Sequence, residues 1–181
     1  GLSVLGPVFH GFQGWLQAEA ADLAKHNGGN VHWLFMMRDG HLPMLLHAQA
    51  RPEIEGHAIE ISRFTATAAS LIDDAALSAF LEREPGTRAE VLGRQLLIPS
   101  EQINAICHGL DPNEARAALL QELKAGPRRK AIIRASRAFA DRMVEHVKQI
   151  VQPAPGDTLM MIDLGYNGSV QNRIDALLRE R

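Results

Sequence analysis

The sequence predicts an α/β fold: a small parallel sheet with helices on both faces and a helical insertion between its strands. Three observations carry this. Two apolar runs, Val31-His32-Trp33-Leu34-Phe35-Met36-Met37 and Thr158-Leu159-Met160-Met161-Ile162, read as buried strands, and each is followed at once by an acidic, glycine-containing turn. A strand–helix–strand unit spanning about thirty residues follows the first long helix, the mark of a parallel pair with a right-handed crossover. Between Phe64 and Val151 the pattern is helical and contains no convincing strand.

In order along the chain, apolar residues recur at helical spacing from Val8 to His26 (Phe12, Trp15, Leu16, Ala20, Leu23), and Asn27-Gly28-Gly29-Asn30 ends that helix. After the first strand, a helix is expected from His41 to Ala50, closed by Arg51-Pro52. His57-Ala58-Ile59-Glu60-Ile61 alternates as a strand does and stops at Ser62-Arg63. The middle contains at least four helical segments. Asp73-Asp74 can cap one, Pro99-Ser100-Glu101 opens another, and Asp111-Pro112-Asn113-Glu114 opens a third with proline in its first turn. The longest runs from Pro127 to Val151 on a stripe of Ile132, Ile133, Ala135, Phe139, Met143, Val147 and Ile150, and Pro153-Ala154-Pro155-Gly156-Asp157 breaks it before the last strand. The expected division is an α/β core of residues 1–63 and 126–181 with a helical cap at 64–125. Three parallel strands make a thin sheet, so further strands are expected in flanking sequence. The chain starts without Met and ends inside an amphipathic stretch, as a piece of a longer protein would.

Composition narrows the function classes. With 181 residues, 46% of them hydrophobic and 22% charged, the chain can bury a core without staples. A net charge of −2 gives no broad basic field and argues against non-specific nucleic-acid binding, and no nucleic-acid partner is expected. The single cysteine, Cys107, excludes an internal disulfide and a cysteine zinc cluster and suits a reducing cytoplasm. No apolar run reaches the ~20 residues that span a bilayer. Eight histidines show no His-x-x-x-His pair and no glutamate-flanked zinc motif. Cys107 and His108 are neighbours in a helix and point apart, and neither Gly-x-Ser-x-Gly nor a Walker-type loop occurs.

In open parallel sheets ligands gather at the carboxyl ends of strands. There this sequence puts Arg38-Asp39-Gly40 after the first strand, Ser62-Arg63 after the second, and Asp163 with Gly165-Tyr166-Asn167-Gly168-Ser169 after the third. Side-by-side opposite charges at a strand end are costly unless they find partners. The two glycines would let backbone approach a ligand, and a following helix would offer its N-terminus to an anion. Each motif also has a plainer reading, as an Asp-Gly turn or as a serine cap. Arg63, Arg134 and Arg137 are candidate anion ligands.

The order of these pieces resembles the haloacid-dehalogenase-like superfamily. Phe35-Met36-Met37-Arg38-Asp39-Gly40, Ile61-Ser62-Arg63 and Ile162-Asp163-Leu164-Gly165-Tyr166-Asn167-Gly168-Ser169-Val170-Gln171, with Leu5-Gly6-Pro7, Phe12 and Trp15, look like a divergent branch found in bacterial proteins of surface-polysaccharide synthesis, beside glycosyltransferase regions. The resemblance implies a Rossmann-like sheet and gives Asp39-Gly40 the acid/base position. It puts Ser62 at the phosphate-binding position and Asp163 at the metal-binding one, so that Asp39 and Asp163 would hold Mg²⁺. Arg38, Gly40, Ser62, Arg63, Gly165, Asn167, Gly168 and Ser169 would then form the ligand surround. For the superfamily's phosphate-binding Lys/Arg the candidates are Lys130, Arg134 and Arg137. The sequence departs from the family at Met37, which stands where the nucleophilic aspartate belongs; a thioether cannot form an acyl phosphate. The expectation is therefore a cytoplasmic, degenerate hydrolase-like domain that binds a phosphorylated or nucleotide-sugar ligand or serves a glycosyltransferase partner. An active Mg²⁺-dependent phosphohydrolase or phosphotransferase and a non-catalytic interaction module are the alternatives.

Overall fold

A computed structural model describes residues 4–37, 39–165, 168 and 170–179. It is α/β, with one open three-stranded parallel sheet among helices. The chain divides into two compact units, Gly1–Ser62 with Glu145–Gln171, and Arg63–Val144 with Asn172–Arg181.

The first unit holds α1 (Leu5–Asn27), β1 (Val31–Met36), α2 (His41–Ala50), β2 (Gly56–Ile59), the last turns of α8 (Gly126–Val151) and β3 (Thr158–Ile162). α1 starts earlier than the apolar spacing suggests and ends where expected. Gly28 takes the left-handed conformation (φ 78°) and donates its N–H to the Ala24 carbonyl. The strand order is β2-β1-β3, with Phe35 opposite Ala58 on one side and Ile162 on the other. β2 is shorter than its alternation predicts. Met37 N–H closes the ladder on the Ile59 carbonyl, after which β1 turns away, so Glu60 and Ile61 have no partner strand among the described residues.

Trp33, Phe35, Met160 and Ile162 form a buried cluster with Leu16 and Ala20 of α1. Gly56 is small for a steric reason: a Cβ there would lie 2.7 Å from the Phe35 ring. Beneath these rings sits a buried polar pair. His47 stacks on Trp33 with ring centroids 4.4 Å apart, and both its nitrogens are engaged. Nε2 faces the Ile54 carbonyl at 3.0 Å, an acceptor only, so Nε2 carries the proton. Nδ1 then accepts from the amide of buried Gln13 at 2.9 Å. Burial chiefly, with Arg51 adding to it, lowers the His47 pKa from 6.5, against the Ile54 carbonyl and Glu53, and the ring is held neutral.

The second unit contains α3 (Arg63–Ser70), α4 (Asp74–Arg83), α5 (Ala89–Gln95), α6 (Ser100–Cys107), α7 (Pro112–Glu122), most of α8 and most of α9 (Gln171–Arg179). Its caps follow from the sequence. Asp73 accepts from the Ala76 N–H, and Asp111 forms a reciprocal capping box with Glu114 while Pro112 occupies the first turn. Leu71, Leu77, Leu92, Leu96, Leu119 and Ile132 are among the side chains that close its core.

Candidate functional site

Because β1, β2 and β3 run parallel, their carboxyl ends share one edge of the sheet, where Asp39, Ser62 and Asp163 follow. Gly40 ties two of these ends together. A Cβ on Gly40 would lie 2.6 Å from the Met36 carbonyl oxygen and 3.0 Å from that of Ile162, the residue before Asp163. The Gly40 N–H returns to the Met36 carbonyl at 2.7 Å, and the Gly40 carbonyl in turn starts α2 by accepting from Met44. Gly40 is buried while Asp39, one residue earlier, is exposed, so the turn is anchored by its glycine and presents its acid.

Asp163 is half-buried, and its carboxylate lies over Gly165: a Cβ at that glycine would meet Oδ2 at 2.5 Å. Gly168 has φ +54°, a conformation that favours glycine. Met37 is half-buried and packs against the Trp33–Phe35 cluster. Ser62 is exposed; Arg63 is also exposed and opens α3 in the second unit. Arg38, Asn167 and Ser169 lie outside the described residues.

Among the described residues no group of three or more His, Cys, Asp or Glu is placed to hold a metal ion. Asp39 and Asp163 are the carboxylates that follow β1 and β3, and Glu60 follows β2. Oxygen donors of this kind suit Mg²⁺, which commonly takes one or two protein carboxylates and fills its shell with water and phosphate oxygens.

Two features were not anticipated. At the opposite end of the sheet Asp157 accepts from His32 Nε2 (2.8 Å) and from the backbone N–H groups of Ala154 and Asn30 (2.9 Å each). These bonds, the one from His32 foremost, hold its carboxyl at about 2. Asn27 Nδ2 donates to Thr158 Oγ1 beside it, and Gly29 is pressed against Gly156, so this end is a structural clamp. The spacing of Asp157 and His32, 125 residues apart, hid it from the sequence. The second feature concerns Lys130, Arg134 and Arg137: all three lie in the second unit, lining one surface hollow with Asp73, Asp74 and Ile133.

Compared with known protein families, curated proteins and solved structures, the chain matches none. No helix among the described residues is long and apolar enough to cross a membrane.

Proposed function

We propose that the first unit is a degenerate hydrolase-like domain with a Rossmann-like sheet of the haloacid-dehalogenase type. In this reading it is cytoplasmic and binds a phosphorylated or nucleotide-sugar ligand or serves a glycosyltransferase partner in surface-polysaccharide synthesis. One observation carries it. Asp39 and Asp163 leave neighbouring parallel strands at the same edge, bridged by Gly40, while Met37 packs against the core. In this reading an acid/base aspartate and a metal-binding aspartate are retained, and the position from which a nucleophile would attack is apolar.

Asp39 and Asp163 would hold Mg²⁺, which when bound would offset the charge of a ligand phosphate. Ser62 supplies a hydroxyl to a phosphate oxygen, and Gly165 and Gly168 keep side chains out of the backbone's way. Without a carboxylate at position 37 no phosphoryl group can be taken onto the protein there, so the ester stays intact.

Calorimetric titration of Mg²⁺, alone and with sugar phosphates and nucleotide sugars, tests this. Wild type should bind, Asp39→Ala/Asp163→Ala should not, and neither should release phosphate. Phosphate release that depends on Asp39 would replace the reading with an active phosphohydrolase. A folded wild type that binds none of these ligands would leave an interaction module.

A further inference from the structure

The basic side chains of α8 are not equivalent. Arg128 pairs with Glu122, and Arg129 is locked onto α4 through Asp74 Oδ1 (2.7 Å), the Asp74 carbonyl (3.2 Å) and Ser78 Oγ (2.8 Å). Lys130, Arg134 and Arg137 differ. At i, i+4 and i+7 they share one face of the helix, a spacing at which like charges repel, and with Ile133, Asp73 and Asp74 they line an open hollow of ≈ 360 Å³. The described residues give Lys130 and Arg134 neither a hydrogen bond nor an ion pair. Arg137 donates Nε–H to the Ile72 carbonyl at 2.7 Å, which anchors the guanidinium and leaves its two terminal nitrogens for another acceptor.

The acids at the hollow are already engaged. Asp73 Oδ1 caps α4 by accepting from the Ala76 N–H at 2.7 Å, and Asp74 is matched by Arg129. A surplus of positive charge therefore faces the hollow from α8, although the whole chain carries a net charge of −2.

We propose that this hollow is a second anion site, lying wholly within the helical unit, for a compact phosphate group such as a diphosphate or phosphate monoester. An ammonium and two guanidinium groups supply enough N–H donors to surround a tetrahedral dianion, and Arg forks match its oxygens in pairs. The three cations span seven residues of helix, about 10.5 Å at 1.5 Å per residue. That is the scale of one or two phosphate groups. The site does not depend on the strand-end reading of the first unit.

The test is calorimetric titration of pyrophosphate at fixed ionic strength, with EDTA and no Mg²⁺, into wild type and Lys130→Gln/Arg134→Gln. Exposed Lys130 and Arg134 can be replaced without loss of fold, which circular dichroism checks. Wild type should bind without Mg²⁺, and the cation variant should bind at least about tenfold more weakly. Absence of binding by wild type would overturn the proposal, as would equal binding by the cation variant. Binding that appears only when Mg²⁺ is added would overturn it too, because the α8 cations would then serve the strand-end site.

Discussion

Replacing His47 by phenylalanine separates the shape of that ring from its hydrogen bonds. The phenyl ring can keep the stack on Trp33 and the contact with Phe35, but it lacks both nitrogens. The buried Gln13 amide then loses its acceptor, and the Ile54 carbonyl loses its donor. A buried polar group left unpaired costs roughly 1–3 kcal/mol, so His47→Phe should destabilise by about 2–4 kcal/mol. Gln13→Leu strands only the Nδ1 lone pair and should cost about 1–2 kcal/mol. In the double variant the two introduced side chains form an apolar contact, and only the Ile54 carbonyl stays unpaired. Its cost should fall about 1–2 kcal/mol below the sum of the two singles. Urea unfolding followed by tryptophan fluorescence measures all three, since Trp33 is the stacking partner. Single effects that simply add, within about 0.5 kcal/mol, would refute the coupling. The same residue sets a pH dependence. Its folded pKa lies below the unfolded 6.5, so between those values the unfolded chain binds the extra proton and stability declines as pH falls below 6.5. His47→Phe should flatten that slope.

Asp157 acts in a lower window. Its folded carboxyl sits at about 2 against an ordinary 3.8, so its contribution is complete above 3.8 and is lost as pH drops from there toward 2; thermal melts of Asp157→Ala should show a lower midpoint at pH 7 and less acid sensitivity in that range. Gly40→Ala puts a methyl carbon within 3.0 Å of three backbone atoms that cannot step aside, and should cost about 3 kcal/mol in urea unfolding; a change below 0.5 kcal/mol would mean the turn is not wedged against Ile162. Gln152 follows α8 at φ 46° and donates its N–H to the Lys148 carbonyl as a glycine cap would, so Gln152→Gly should raise stability by about 0.5–1 kcal/mol on the same assay.

What could be read in the sequence followed local chemistry. β3 matches at both ends because a continuous apolar run is bounded by Gly156-Asp157 and Asp163, and α2 stops where Arg51-Pro52 forbids another turn. The caps at Asp73 and Asp111 were legible for the same reason: a cap and its partner lie within three residues. The pairing of β1 with β2 was legible in their short right-handed crossover, whereas nothing local places β3 on the other side of β1. Pairings across long stretches of chain were not legible. Nothing local marks Gln13 and His47, 34 residues apart, as partners, and Asp157 sits in a run that reads only as a helix breaker. At the strand ends the sequence could place Asp39 and Asp163 on neighbouring strands. Alternation does not survive a turn, so it could not tell that Met37 packs with the core while Asp39 stands exposed.

The central strand has a consequence for synthesis. β1 takes one neighbour from β2, about twenty residues downstream, and the other from β3, more than a hundred residues later. A ribosome adding 5–20 residues per second would leave that second edge waiting on the order of 10 s. During that interval the run Trp33-Leu34-Phe35-Met36, buried in the finished fold, offers unpaired N–H and C=O groups beside apolar side chains. The nascent chain thus presents a sticky template until β3 emerges, and the yield of folded protein should depend on how quickly that strand is made or how well chaperones cover the gap.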